Sequence, residues 1–238
     1  MDTRVKGNPL PEINLVDLNK EQPVHGPFSQ RVFSQIKSTL DMGDQVIILL
    51  NRRGFSPLVF CTSCREVVKC PNCSVSMTYH KKVEKLICHY CGHVIPFPCD
   101  CPVCGSVSYL PLDVGTEQIE ELITDSFGHT SKILRLDRDT YRHEKKEEDI
   151  LRGFANGEYQ ILIGTQMCSK GHNFPGVTLV VVVDGDIGLN LPDYRATERT
   201  FQLLVQVAGR SGRGEKPGRV FIQTRNPNHY CWKYITKK

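Results

Sequence analysis

The stretch "CTSCREVVKCPNCSVSMTYHKKVEKLICHYCGHVIPFPCDCPVCG" (Cys61–Gly105) holds four C-x2-C pairs: Cys61/Cys64, Cys70/Cys73, Cys88/Cys91 and Cys101/Cys104. A C-x2-C turn presents two thiolates from one tight bend to the same ion, at about 2.3 Å each for zinc. A closed structural site takes four ligands, so four such turns make two tetrahedral, all-thiolate sites. The loop "SVSMTYHKKVEKLI" between Cys73 and Cys88 has close to the spacing of a zinc ribbon. That favours a nested pairing, inner turns with each other and outer turns with each other; a cross-braced pairing is the rival that spacing leaves open. Evenly split pairs around a ribbon-like loop favour zinc over an iron–sulfur cluster. Ser74, Gly92 and Gly105 follow the second cysteine of three turns and suit a tight bend. Cys99 breaks the pair pattern and reads as a non-ligand. His80, His89 and His93 read as surface or supporting groups. The loop residues Tyr79, His80, Lys81, Lys82 and Lys85 combine aromatic and basic character, which suits stacked bases and a phosphate backbone and equally suits a solvated basic loop.

Outward from this cassette the pattern changes to that of an α/β domain. "QVIILL" (45–50), "YQILIGT" (159–165), "VTLVVVVDGD" (177–186) and "GRVFIQT" (218–224) are short apolar, β-branched runs, as expected of strands buried on both faces of a parallel sheet. Between them lie helical patterns. Ser29 caps a helix with Val32, Phe33, Ile36 and Leu40 on one face and Gly43 as its stop. Thr116 opens "EQIEELITDSF", with Glu117 and Glu120 near the positive end of the helix dipole. "EINLVDL" near the N-terminus alternates and fits a short strand. Strands alternating with helices predict a parallel sheet with right-handed crossovers.

The 238 residues suit one large domain or a medium domain with an insertion. An apolar share of 39% is enough for a substantial core. The net charge of +4, from 30 basic and 26 acidic side chains, permits nucleic-acid binding without demanding it. No apolar run approaches the ~18 residues of a membrane span, and the first residues lack a signal-peptide pattern. A cytoplasmic location and no membrane partner are therefore expected, with the 11 cysteines as metal ligands or free thiols rather than disulfides.

A second constellation lies towards the C-terminus. "QVAGRSGRG" contains Q-x-x-G-R-x-G-R as Gln206, Gly209, Arg210, Gly212 and Arg213. Two guanidinium groups three residues apart can fork onto phosphoryl oxygens, and the glycines leave room for close approach. Asp184 and Asp186, ending the strongest strand, read as structural rather than as a metal site.

This pattern resembles motif VI of superfamily 2 helicases, and "ILIGTQMCSKGHNFPGVTLV" resembles their motif V. Together with "LLNRRGFSPLVFC", "PDYRATERTFQLLVQVAGRSGRG" and the cysteine spacing, these stretches resemble the PriA family of primosomal replication-restart helicases over about residues 10–229. The resemblance implies a RecA-like second helicase lobe interrupted by a loop-rich two-zinc module. It implies nested ligand sets: Cys61, Cys64, Cys101 and Cys104 for one zinc, and Cys70, Cys73, Cys88 and Cys91 for the other. Arg210 and Arg213 would stabilise charge on a transferring phosphoryl group, with Gln206 supporting them. Gly164, Thr165, Lys170, Gly171 and Gly209 would couple nucleotide to DNA, and Arg52, Arg53, Tyr79, Lys81 and Lys82 would touch DNA. The implied function is ATP-dependent 3′–5′ unwinding in replication restart and primosome assembly. Its implied partners are forked or single-stranded DNA, primosome proteins and single-strand-binding proteins.

The chain has no G-x-x-x-x-G-K-[ST] and no D-E-x-H-type motif. It is therefore expected to be a fragment that lacks the first lobe, to use ATP with Mg2+ only alongside that lobe, and to be inactive alone. The expected division is a linker over 1–27, the helicase lobe over 28–58 and 108–230, the zinc module over 59–107 and a divergent tail over 231–238. The alternative is a stand-alone zinc module that binds nucleic acid or protein without catalysis.

Overall fold

The computed structural model describes residues 10–50, 58–64, 66–80, 83–112, 116–136, 144–165, 174–191, 193–212 and 216–236. In chain order the elements are β1 (Glu12–Asp17), β2 (Pro23–His25), β3 (Phe28–Ser29), α1 (Gln30–Asp41), β4 (Gln45–Leu49), β5 (Leu58–Cys61), β6 (Thr78–His80) and β7 (Lys85–Ile87). They continue with β8 (Val94–Pro96), β9 (Tyr109–Leu112), α2 (Thr116–Phe127), β10 (Ile133–Leu136), α3 (Glu144–Ala155), β11 (Ile161–Gly164) and β12 (Val177–Val182). The last are α4 (Gly185–Leu189), α5 (Ala196–Ala208), β13 (Arg219–Thr224) and α6 (Tyr230–Thr236). The described residues fall into two compact units, one within 1–51, 114–185 and 201–238 and the other within 52–113 and 186–200.

The first unit is organised by a six-stranded sheet in the order β1-β13-β12-β4-β11-β10. Its pairs are all parallel. Every residue of β4, β11 and β12 is buried, which is why these runs are almost entirely apolar rather than alternating. Ser29 caps α1 by accepting a hydrogen bond from the Val32 amide at 3.3 Å. Val32 and Ile36 then face a core shared with Ile48, Ile119, Ile123, Ile163 and Val181. Gly43 ends the helical run in the left-handed region at φ 75°, where a side chain would be strained. The sheet is thus the parallel α/β arrangement, with its central strands fully buried, that the sequence predicts.

Two boundaries differ from the sequence expectation. The stretch expected as a linker supplies β1, an edge strand in register with β13 from Glu12↔Arg219 to Asp17↔Thr224. It lies at the edge of the sheet, and Val16 is its fully buried residue, packed in the core of the unit. The expected divergent tail forms α6, which buries Cys231, Trp232 and Ile235. The Trp232 indole donates to the Asn226 carbonyl at 2.8 Å, so this large side chain is held at both its apolar and polar ends.

A buried amide ties the start of α1 to the sheet. Gln223 is fully buried. Its Nε2 donates to the carbonyls of Val183 (2.8 Å) and Pro27 (3.0 Å), and its Oε1 accepts from the Ser29 amide at 2.9 Å. Replacing it with leucine keeps the volume and strands these three backbone groups. Gln223→Leu should lower the unfolding free energy by about 2–4 kcal/mol in denaturant titration. The matched surface change Gln30→Leu should cost under about 0.5 kcal/mol.

Candidate metal centre and arginine turn

The second unit brings the eight paired cysteines to two points. The Sγ atoms of Cys61, Cys64, Cys101 and Cys104 lie within 4.8 Å of one another, and so do those of Cys70, Cys73, Cys88 and Cys91. Closest approaches are 3.5 Å for Cys61–Cys104 and Cys64–Cys101 and 3.6 Å for Cys70–Cys91. Four sulfurs at ~2.3 Å from one ion in a tetrahedron stand about 3.8 Å apart, whereas a disulfide needs about 2.05 Å. The spacing therefore fits a tetrathiolate ion and not a disulfide. The grouping is nested, and Cys99 belongs to neither set. Its thiol instead lies 3.8 Å from the Tyr109 hydroxyl.

The turns repeat one backbone design. In three of them the first cysteine's amide donates to the carbonyl five residues on, and its own carbonyl accepts from the amide four residues on. These bonds are Cys70–Val75 and Ser74–Cys70 (both 2.8 Å), Cys88–His93 and Gly92–Cys88 (both 2.9 Å), and Cys101–Ser106 and Gly105–Cys101 (2.9 and 2.8 Å). The residue four on has positive φ: Ser74 at 55°, Gly92 at 74° and Gly105 at 73°. That is why small residues occupy those places. The Cys61 amide likewise donates to the Glu66 carbonyl at 2.9 Å.

Backbone and burial also set the thiol acidities within each group. A backbone hydrogen bond from Cys64 holds Cys61 down at about 6, while burial pushes Cys64 up to about 12. In the inner group a backbone hydrogen bond from His93 lowers Cys91 to about 7, and the Cys91 thiol beside Cys73 pushes that residue up to about 12. Without metal, Cys61 thus ionises more readily than Cys64, and Cys91 more readily than Cys73; a divalent cation supplies charge that favours the thiolates.

The zinc module's small apolar cluster contains Val59, Val68, Met77 and Leu86 together with Cys70 and Cys88. Tyr79, expected at DNA, packs its ring 4.7 Å from that of Phe97, which in turn lies 5.2 Å from Tyr109. Its described contacts are those of a packing residue. Arg52, Arg53, Lys81, Lys82 and Cys168 fall outside the described residues.

In the first unit, Gly164 ends β11 opposite Leu49 of β4, and Thr165 follows it half-buried. Gln206 is exposed on α5, and Gly209 and Arg210 leave that helix through turns. Arg210 is buried, at 7% exposure, so it is not a solvated helix end. The Gly212 amide donates to the Val177 carbonyl at 2.9 Å, tying this turn to the amino end of β12. Gly212 has φ 65°, and a Cβ there would stand 2.3 Å from the Gly218 nitrogen. Only glycine fits that crossing. Among the described residues, the turn is thus tied to the amino end of β12, whereas Gly164 stands at the carboxyl end of β11. Lys170, Gly171 and Arg213 lie outside the described residues. Asp184 accepts from Arg225 at 2.6 Å. Sequence reading missed Gln45, whose Nε2 donates to the Phe154 and Tyr159 carbonyls at 2.7 and 2.6 Å. A glutamine opening an apolar strand was the only signal.

One outcome follows from this geometry. Cys88→Ser, in the buried inner group, should remove one of two metal equivalents in elemental analysis and leave the other.

Comparison with known proteins places these features in one family. Residues 70–96 match the family described as the PriA DNA helicase Cys-rich region domain, and residues 113–215 match the helicase conserved C-terminal domain. The replication restart protein PriA of Bacillus subtilis is 43% identical over 229 residues, covering 95% of this chain and 28% of that protein. That of Chlamydia muridarum is 44% identical over 223 residues, covering 92% of this chain and 30% of its own. The chain therefore spans about a third of the length of these relatives. The structure of RecG bound to a three-way DNA junction superposes with a TM-score of 0.50 at 15% identity, over 96% of this chain and 20% of that one, a likeness of fold. With matching sequence along nearly its whole length, a Cys-rich module folded on two tetrathiolate groups and a parallel helicase lobe, the chain belongs to the PriA family of replication restart proteins.

Proposed function

We propose that this chain is the second motor lobe and zinc module of an ATP-dependent 3′–5′ DNA helicase that acts in replication restart and primosome assembly. The observation that carries this reading is the chain order. Two tetrathiolate groups sit between β4 and α2 of a RecA-like lobe, and the Cys-rich and helicase C-terminal matches follow each other in that same order. In this reading the lobe runs over residues 10–58 and 108–236, with β1 and α6 included, and the module over 59–107.

Zinc is the ion that eight thiolates in two tetrahedral sets suit. Its part is architectural. It replaces the hydrophobic core that a short segment cannot build, leaving a platform for DNA or a protein partner. Arg210 and Arg213 supply positive charge to the phosphoryl group of ATP as it transfers, and Gln206 supports them. The clamp of Gly212 between Gly218 and the Val177 carbonyl aims that turn. Gly164, Thr165, Lys170, Gly171 and Gly209 relay between the nucleotide and the DNA track, and β12 links the two ends. Arg52, Arg53, Lys81 and Lys82 contribute charge towards DNA. Forked or single-stranded DNA, primosome proteins and single-strand-binding proteins are the partners, in the cytoplasm. ATP and Mg2+ bind only together with a lobe that carries a P-loop.

The purified 238-residue chain should not hydrolyse ATP. Mixed with a polypeptide carrying the P-loop lobe, it should support DNA-stimulated hydrolysis that falls by about 10³-fold or more in Arg213→Ala. Hydrolysis by the chain alone that is lost in Arg213→Ala would contradict the proposal. So would a DNA-stimulated rate in the mixture that is indifferent to Arg210→Ala and Arg213→Ala.

A further inference from the structure

Outside the two thiolate groups, the second unit brings two imidazoles together. His80 ends β6, and His89 lies inside the Cys88–Cys91 turn. Their Nε2 atoms stand 3.4 Å apart, and their ring centroids 5.3 Å. The separation is longer than the roughly 2.7–3.2 Å of a well-formed N–H hydrogen bond. It matches the spacing of two imidazole nitrogens on one tetrahedral ion: bonds of about 2.0–2.1 Å place them about 3.3–3.4 Å apart.

The backbones that carry the pair are fixed independently. His80 is in register with Lys85 in the β6–β7 ladder. His89 rides on a turn held by the Cys88–His93 and Gly92–Cys88 hydrogen bonds, both 2.9 Å. Folding therefore brings together two residues nine apart in sequence, with the same ring nitrogen of each facing the other. Converging nitrogens of this kind are a bidentate donor set.

We propose that His80 and His89 form a third metal site, selective for borderline divalent cations such as zinc, copper(II) and nickel. Imidazole suits these ions, whereas magnesium and calcium call for oxygen donors. Two protein ligands leave the remaining coordination positions open. Water or an anionic oxygen, such as a phosphate or carboxylate of a bound partner, completes the shell. The site is weaker than the tetrathiolate groups and exchanges its ion without unfolding the module. It stands on its own geometry and holds whether or not the helicase reading does.

The test is zinc titration by isothermal calorimetry of the chain already loaded with its two tightly held ions. One further equivalent should bind, and magnesium at the same concentration should not compete. His80→Ala and His89→Ala should each weaken that equivalent at least tenfold. His129→Ala, on the other compact unit, should leave it unchanged. Elemental analysis of each variant before titration should still give two tightly held ions, which separates loss of the new site from loss of the module. His80 lies outside every cysteine turn, so His80→Ala decides the matter if His89→Ala disturbs the inner group. A loaded chain that takes up no further ion overturns the proposal, and so does a third equivalent that both variants retain.

Discussion

Eight sulfurs must reach two points for the Cys-rich segment to hold a shape. Its strands are three or four residues long. Its apolar cluster offers few large aliphatic side chains, and Cys70 and Cys88 stand among its buried members. A segment of this size and composition cannot offset its chain entropy by burial alone, so metal–thiolate bonds are its main source of folding free energy. The nested grouping has a mechanical consequence. The inner turns close the hairpins at the far end, and the outer turns close the base. There β5 and β9 run antiparallel from Leu58↔Leu112 to Cys61↔Tyr109. The incoming and outgoing strands thus lie side by side, the condition under which a module can be inserted into a host at little cost to the host's own folding.

The lobe obeys a different constraint. Its three most buried strands are buried on both faces, so the sequence there turns almost entirely apolar rather than alternating. Several polar groups that enter this interior are tied to specific partners. Gln223 and Gln45 bond backbone groups of segments distant in sequence, and Asp184 meets Arg225. Of these, Gln45 stands at the end of the sheet that holds the arginine turn, in register with Val177, whose carbonyl accepts from Gly212; in that turn two glycines approach too closely for any side chain. A turn built in this way holds its geometry before any ligand arrives, which is what charge stabilisation of a transferring group requires.

Much of this was legible in the sequence because it depends on local pattern. Equal C-x2-C spacings and the small residues at positive φ announce the turns, and continuous apolar runs announce the central strands. What was illegible depends on partners distant in sequence. "EINLVDL" shows its strand character but not that its neighbour is β13, so the segment reads as a linker. "YCWKYITKK" looks divergent because nothing local says that Trp232 is buried. Tyr79 reads as a base-stacking residue from its basic neighbours, and only folding reveals Phe97 beside it. His80 and His89 each look solitary, since their convergence is made by a strand end and a turn.

The central claim is that two closed tetrathiolate ions, in nested sets, organise the module. The most direct measurement is cadmium-113 NMR of the cadmium-substituted chain, with correlation from each metal to the cysteine β-protons coupled to it. The account predicts two tetrathiolate resonances, one coupled to Cys61, Cys64, Cys101 and Cys104 and the other to Cys70, Cys73, Cys88 and Cys91. A metal coupled to Cys61 and Cys88 together, or a single resonance, would contradict it.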